Sequence, residues 1–220
     1  DHMTRVDHML HRGTASALAE LIDHNRAMRD ATKLTEHVHR ETVCLTVIDK
    51  DLMAVSMIYS ISSDFGSGIC SDKFGILMQN RGTYFSLEEG PPNELAGGKR
   101  SLHTIIPAMI KQEGRVVMPF CVMGGVYQPT GHVRVMSNVV DYGMDLQAAI
   151  DGPRSFADGD NIRLEKGYSP EVRQQLADLG HPVSYSDTPF GGAQGTFIDY
   201  ENGTLIGGSD PRKDGLALGY

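Results

Sequence analysis

Thr42 opens the run TVCLTVID, an alternating β-branched stretch that reads as a strand, and it directly follows the polar segment HVHRE. An internal threonine at a strand edge is ordinarily structural. If the peptide bond before it is cut, the residue gains a free α-amine with a pKa of about 7.7 to 8, which can take the hydroxyl proton. One residue then supplies both nucleophile and base. Such chemistry needs a new amino terminus presented at the end of a central strand. The abrupt change of texture between Glu41 and Thr42 has that layout.

Other residues could complete a site. In VMGGV, Gly124 and Gly125 follow an apolar strand, and paired glycines let backbone approach a ligand closely. Their N–H groups would suit an oxyanion in acyl transfer, although a plain strand-ending turn explains them as well. They belong to no phosphate or dinucleotide loop, because G-x-G-x-x-G and G-K-[ST] are absent. In LMQNRG, Arg81 at a strand end would bind a carboxylate bidentately, or it is a surface arginine. His103, in KRSLHTIIP, could act as acid or base, but a histidine beside an apolar strand is more often structural. Ser60, Ser62 and Ser63 stand where the second strand meets a loop, and they either cap the turn or line a site. His37 and His39 have no carboxylate or cysteine partner at a zinc-like spacing, so they read as solvated linker and no metal is expected.

The elements that must position these residues follow from the pattern. ASALAELIDHNRAM carries Ala15, Leu18, Leu21 and Ile22 at helical spacing, and residues 30 to 41 read as a polar, mobile segment. TVCLTVID, the turn KDL and MAVSMIYSI form a hairpin; SSDFGSGIC is a loop; FGILMQN is expected to be a third, apolar strand; SLEEGPPNELAGGKR is a long loop. TIIPAMIKQEGRVVMPFCVMGG is two strands turning at Glu113-Gly114. TGHVRVMSNVVDYG is a helix with Val133, Met136, Val139 and Val140 on one face and Gly143 as its stop, and DLQAAID continues helical. Ser169 caps a helix that starts with Pro170 and Glu171 and closes on Gly180. GTFIDYENGTLIGGSD is a hairpin turning at Asn202-Gly203. Strands, then helices, then strands with antiparallel turns define an α+β layered fold, not a doubly wound one.

Composition narrows the function. The 220 residues suffice for a sizeable core, and 40% apolar with 22% charged is ordinary for a globular chain. A net charge of -8 and the lack of a basic stripe argue against nucleic acid. No apolar run is long enough for a membrane span, and the first residues lack the apolar core of a signal peptide. Met3 is not the first residue, which suggests a fragment or processed product. Cys44, Cys70 and Cys121, an odd number in apolar or small-residue surroundings, are expected to be buried reduced thiols, favouring a reducing compartment such as the cytoplasm.

Taken together, TVCLTVIDKDLMAVS, FGSGI, GILMQNRG, PNELAGGKR, HTIIPAM, VMGG, NVVDYGMDLQAAIDGPR and GGSDPRKDGLALGY resemble, in one collinear pass from Thr42 to Tyr220, the small catalytic subunit of the γ-glutamyltransferase family of N-terminal nucleophile (Ntn) hydrolases. The resemblance implies a four-layer α/β/β/α sandwich with two antiparallel sheets. It implies a precursor that cuts itself before Thr42, so that residues 1–41 are the tail of a large subunit and residues 42–220 the catalytic small subunit. A heterodimer, or a dimer of heterodimers, is expected, with no cofactor. Thr42 would be nucleophile and base, Ser60 the hydroxyl that hydrogen-bonds it, and Gly124 and Gly125 the oxyanion hole. Family members that take γ-glutamyl groups hold the substrate ammonium with Asn, Gln or Glu, and Asp; here those positions are Ser62, Arg81 and Tyr84. Their carboxylate-binding Ser-Ser is here His103-Thr104, and the loop between Phe85 and Lys99 is shorter than in members with a lid. The pattern is most similar to the oxamate amidohydrolase and acylase-like branch. It implies a small amide whose acyl group carries a carboxylate and no ammonium; glutaryl-type (cephalosporin) acylases and γ-glutamyl transfer or hydrolysis remain alternatives, as does a non-catalytic subunit.

Overall fold

A computed structural model describes residues 7, 10–27 and 42–220. The expectations for His37, His39 and the segment up to Glu41 lie outside the described residues. Helix α1 (Arg12–Ala19) has no buried residue, and Leu21 and Ile22 lie beyond its end.

Strands β1 (Thr42–Ile48) and β2 (Ala54–Ser60) form the expected hairpin, in register from Thr42 opposite Ser60 to Ile48 opposite Ala54. The strand period of two divides their side chains between faces. Thr42, Cys44 and Thr46 turn inward, while Val43, Val47, Val55, Met57 and Tyr59 are exposed. The inward face lies on a second antiparallel sheet, β3 (Pro107–Gln112), β4 (Arg115–Met123), β8 (Gly192–Asp199) and β9 (Thr204–Ser209), ordered β3-β4-β8-β9. Thr46 Oγ1 and Thr196 Oγ1 are 2.9 Å apart across the gap, and Ser56 Oγ donates to Phe120 O at 2.9 Å.

The other face of the four-stranded sheet carries α2 (Gln128–Val140) and α3 (Leu146–Asp151). Alternate β4 residues Met118, Phe120 and Val122 point to these helices and form the main core with Tyr127, Val135, Leu146, Ile150, Phe190 and Ala193. A smaller antiparallel-plus-parallel sheet, β5 (Ser155–Asp158), β6 (Asn161–Leu164) and β7 (Val183–Tyr185), is crossed by α4 (Pro170–Asp178), whose cap Ser169 accepts from Val172 N. The β8–β9 hairpin closes through residues 200 to 203, between Asp199 and Thr204, with Gly203 at φ 65°.

The structure corrects three expectations. FGILMQN is no strand: only an isolated bridge joins Leu77 to Cys70, and Phe74, Ile76 and Met78 are exposed. An apolar run without a partner strand does not make a ladder. The Val133, Met136 and Val140 stripe of α2 faces outward, and the buried face is Gln128, Gly131, His132, Val135 and Asn138. Small and polar residues are selected there because the helix lies against β4: a Cβ on Gly131 would come within 2.6 Å of Val122 Cγ1. The thiols are not all reduced and buried. Cys44 and Cys121 form a disulfide between the sheets, and Cys70 is free and exposed. Counting cysteines could not reveal that β1 stacks on β4; with that pairing, the basis for expecting a reducing compartment is gone.

Candidate active site

The site lies at one end of the sandwich. Thr42, the first residue of β1, donates from Oγ1 to Ser60 Oγ at 3.2 Å, directly across the hairpin ladder. Ser60 Oγ also accepts from Ser62 N at 3.0 Å, so one hydroxyl orients Thr42 and fixes the turn after β2. Ser62 is 1% exposed at φ 81°, a left-handed conformation that costs a non-glycine residue about 1 to 3 kcal/mol. Its hydroxyl is buried without a hydrogen-bond partner. A strained, buried and unsatisfied polar group is expected where a ligand completes the bonding.

Two cross-sheet contacts place Gly124 near Thr42. Cys44 faces Cys121, and Thr46 faces Thr196, which lies beyond Gln194, the partner of Cys121. The strands β1 and β4 therefore run in opposite directions face to face. Two residues back from Cys44 is Thr42; two on from Cys121 is Met123, and then Gly124. Gly124 at φ 127° and Gly125 at φ 60° turn the chain into a 3-10 turn, residues 125 to 127, that leads into α2. A Cβ on Gly124 would stand 2.7 Å from Gly191 Cα, and one on Gly191 would stand 2.1 Å from Met123 O. Tyr127 packs behind the turn, and burial pushes its phenol up to about 12, which leaves it neutral.

Gly191 is itself anchored. Arg154, 1% exposed, donates to Phe190 O at 2.6 Å and pairs with Asp210. Asp210 Oδ2 accepts from Ala193 N at 2.7 Å, and Arg212 bridges Asp210 and Glu165. This buried ion network holds the start of β8 against the glycine turn. The reading of the sequence missed it, although the second glycine pair, Gly191-Gly192, was a visible signal.

The loop after β2 folds back on the same end. Asn80 N donates to Ile61 O at 3.2 Å, and Ser63 N donates to Asn80 Oδ1 at 3.1 Å. Arg81 follows, in a 3-10 turn over Arg81–Tyr84, so its backbone is tied beside the Ser60–Ser63 turn. Its Nη1 is buried with no hydrogen-bond partner, and burial lowers its pKa. The guanidinium carbon lies 6.0 Å from the centre of the Tyr84 ring. Among the described residues no hydrogen bond ties His103 or Thr104 to this group, and His103 is exposed while Thr104 is half-buried. No cluster of His, Cys, Asp or Glu able to hold a metal is present among the described residues.

Thr42 and Ser60 at the ends of a hairpin packed on the sheet that leads into the glycine turn belong to an α+β fold of the Ntn-hydrolase type, the fold of the solved gamma-glutamyltranspeptidases the chain superposes on. The sequence profile described as Gamma-glutamyltranspeptidase matches residues 1–220. The chain is 38% identical over 191 residues to the glutathione hydrolase-like YwrD proenzyme of Bacillus subtilis, covering 83% of this chain and 36% of that protein. It is 35% identical over 190 residues to the oxamate amidohydrolase proenzyme of Klebsiella pneumoniae, covering 82% and 36%. Among solved structures it superposes on the gamma-glutamyltranspeptidase of Pseudomonas nitroreducens complexed with L-DON, with a TM-score of 0.73 and 25% identity, over 80% of this chain and 98% of that one. The chain belongs to the gamma-glutamyltranspeptidase family. It spans 36% of the length of these two curated relatives.

Proposed function

We propose that Thr42 becomes, after cleavage of the Glu41–Thr42 bond, the nucleophile of an amidohydrolase that acts on a small amide whose acyl group carries a carboxylate. The observation that carries the substrate class is the buried, unpartnered Nη1 of Arg81, whose chain neighbour Asn80 is bonded to the Ser60–Ser63 turn. A guanidinium cannot accept from an ammonium, and its fork matches a carboxylate. Ser62, with its orphan hydroxyl, is the second donor to that group, and Tyr84 flanks the guanidinium. His103 and Thr104 would join only if the loop before β3 closes on the ligand.

The chemistry follows from the arrangement. The free amine of Thr42 takes the hydroxyl proton while Oγ1 attacks the amide carbonyl. Amides of the Gly124–Gly125 turn stabilise the oxyanion. The proton passes to the leaving nitrogen, ammonia or an amine departs, and water then hydrolyses the ester, returning the hydroxyl. Ser60 orients Thr42 throughout, as it does in the structure.

The same reading divides the chain at Thr42, with residues 1–41 as the tail of a large subunit. The outer face of the β1–β2 hairpin supports that partner: Val43 is 57% and Tyr59 59% exposed, an apolar surface on a strand pair central to the site. Processed enzyme from the complete precursor should hydrolyse oxamate or glutaryl amides faster than γ-glutamyl anilides. Thr42→Ala should leave the precursor uncut and inactive. Turnover surviving that change would remove Thr42 from the nucleophile role, and a clear preference for γ-glutamyl anilides would remove the substrate class.

A further inference from the structure

The proposed nucleophile and the oxyanion glycines sit on different sheets. No ladder hydrogen bond sets the distance between them, because β1 and β4 meet face to face and belong to separate sheets. The packing at this end of the gap is thin. The main core lies on the opposite, helix-bearing face of β4, while the intersheet cluster here consists of Cys44, Cys121 and Met123 with Ile58 against it. The one covalent tie between the sheets among the described residues is Cys44–Cys121, which joins positions 77 apart in sequence. Counted from that bond, Thr42 is two residues away along β1 and Gly124 three residues on from Cys121, just past the end of β4.

We propose that the Cys44–Cys121 disulfide is a positioning crosslink of the catalytic centre, fixing the spacing between the Thr42 hydroxyl and the Gly124–Gly125 amides. The inference rests on the reading of Thr42 as nucleophile. A strand that starts at a cut has no preceding chain to hold its first residue, and chain ends fray. A bond two residues in, on the same strand face as Thr42, restrains that end toward β4. Its formation takes two thiols to one disulfide, with two protons and two electrons passing to an oxidised dithiol carrier, which is reduced. Cys44 is 6% and Cys121 0% exposed, so a reductant must wait for the sheets to part, and the bond persists through turnover. It is a clamp, and it does not cycle.

The test uses processed enzyme from the complete precursor, in three forms: wild type, Cys44→Ala with Cys121→Ala, and Cys44→Val with Cys121→Ala to refill the gap. Peptide mapping of wild type without reductant should recover Cys44 and Cys121 linked. Both variants should lose about 10- to 100-fold in kcat with KM changed less than about threefold, since a displacement near 1 Å costs about that much in rate. Exchange of the Val43 and Cys44 amides should quicken, with β8 and β9 unchanged. If the alanine pair fails to fold, the valine pair and the peptide map of Cys44 and Cys121 in wild type decide. Either Cys44 and Cys121 both recovered as free thiols, beside Cys70, in fully active wild type, or a variant kcat within twofold of wild type, overturns the proposal. Thr42→Ala separates the two readings: activity surviving there defeats the nucleophile assignment, while the linked peptide and slow Val43 exchange would be untouched.

Discussion

Replacing Arg81 by methionine keeps most of the side chain's apolar stem and removes the guanidinium. Arg81 is half-buried, and only its Nη1 is both fully out of water and unpartnered. A hydrogen bond between charged groups contributes about 1.5 to 3 kcal/mol, and the lower end suits a partly solvated guanidinium. Two such bonds from one fork to a carboxylate then amount to about 3 kcal/mol, or about 10²-fold in kcat/KM. The carboxylate is present in substrate and transition state alike, so most of that loss should fall on KM. The assay compares oxamate with propionamide, an amide of similar size with no carboxylate. Wild type and Arg81→Met should differ by about 10²-fold on the first and by less than about threefold on the second. Arg81→Gln, which supplies an acceptor for an ammonium, should also raise the ratio of γ-glutamyl anilide to oxamate turnover. Equal losses on both amides would refute the reasoning, because they would show Arg81 holding the loop rather than the substrate.

Two further substitutions examine the glycine turn and its support. Gly124→Ala forces alanine to φ 127° with its Cβ 2.7 Å from Gly191 Cα, so it should cost about 2 to 4 kcal/mol and lower kcat by about 10² or more. Thermal melting and steady-state rates read the two effects, and Gly68→Ala, where φ is 72° but nothing lies within 4 Å, should cost about 1 kcal/mol and leave kcat unchanged. Arg154→Met removes one side of a buried pair and should destabilise by about 3 to 5 kcal/mol in denaturant titrations. A loss below about 1 kcal/mol would mean that Arg212 alone satisfies Asp210.

Most of the layering was legible because strand patterning is local. The hairpins at Thr42–Ser60 and Gly192–Ser209 carry their own turn chemistry, and period-two alternation marks which face is inward. What escaped the sequence depends on partners distant in the chain. FGILMQN has strand composition, yet whether it forms a ladder is decided by a neighbouring edge, and none is offered among the described residues. On α2, hydrophobicity points to Val133, Met136 and Val140 as the inner face, whereas close approach to β4 demands Gly131. Cys44 and Cys121 are far apart in the chain, and only the stacking of β1 on β4 makes them neighbours. In the candidate site, Thr42 and Ser60 stand at strand ends and Gly124 and Gly125 just past one, so their places follow the strand pattern, while the roles expected of them come from the family resemblance. The placement of Arg81 depends on Asn80 bonding back to Ile61 and Ser63, a contact no local rule reveals.

That difference has a consequence for specificity. The groups that would perform the acyl chemistry stand on strand ends, braced by the hairpin register, the intersheet disulfide and the Arg154–Asp210 network. The groups that would choose the acyl substituent, Ser62, Arg81, Tyr84, His103 and Thr104, all lie between Ile61 and Ile106, where no regular strand or α-helix forms. A change in that segment disturbs few ladder bonds and little of the core, so it can alter the pocket without moving Thr42 or the glycine turn. In this chain Arg81 would weigh most on which substrates are admitted, because its guanidinium brings a permanent side-chain charge to the candidate site.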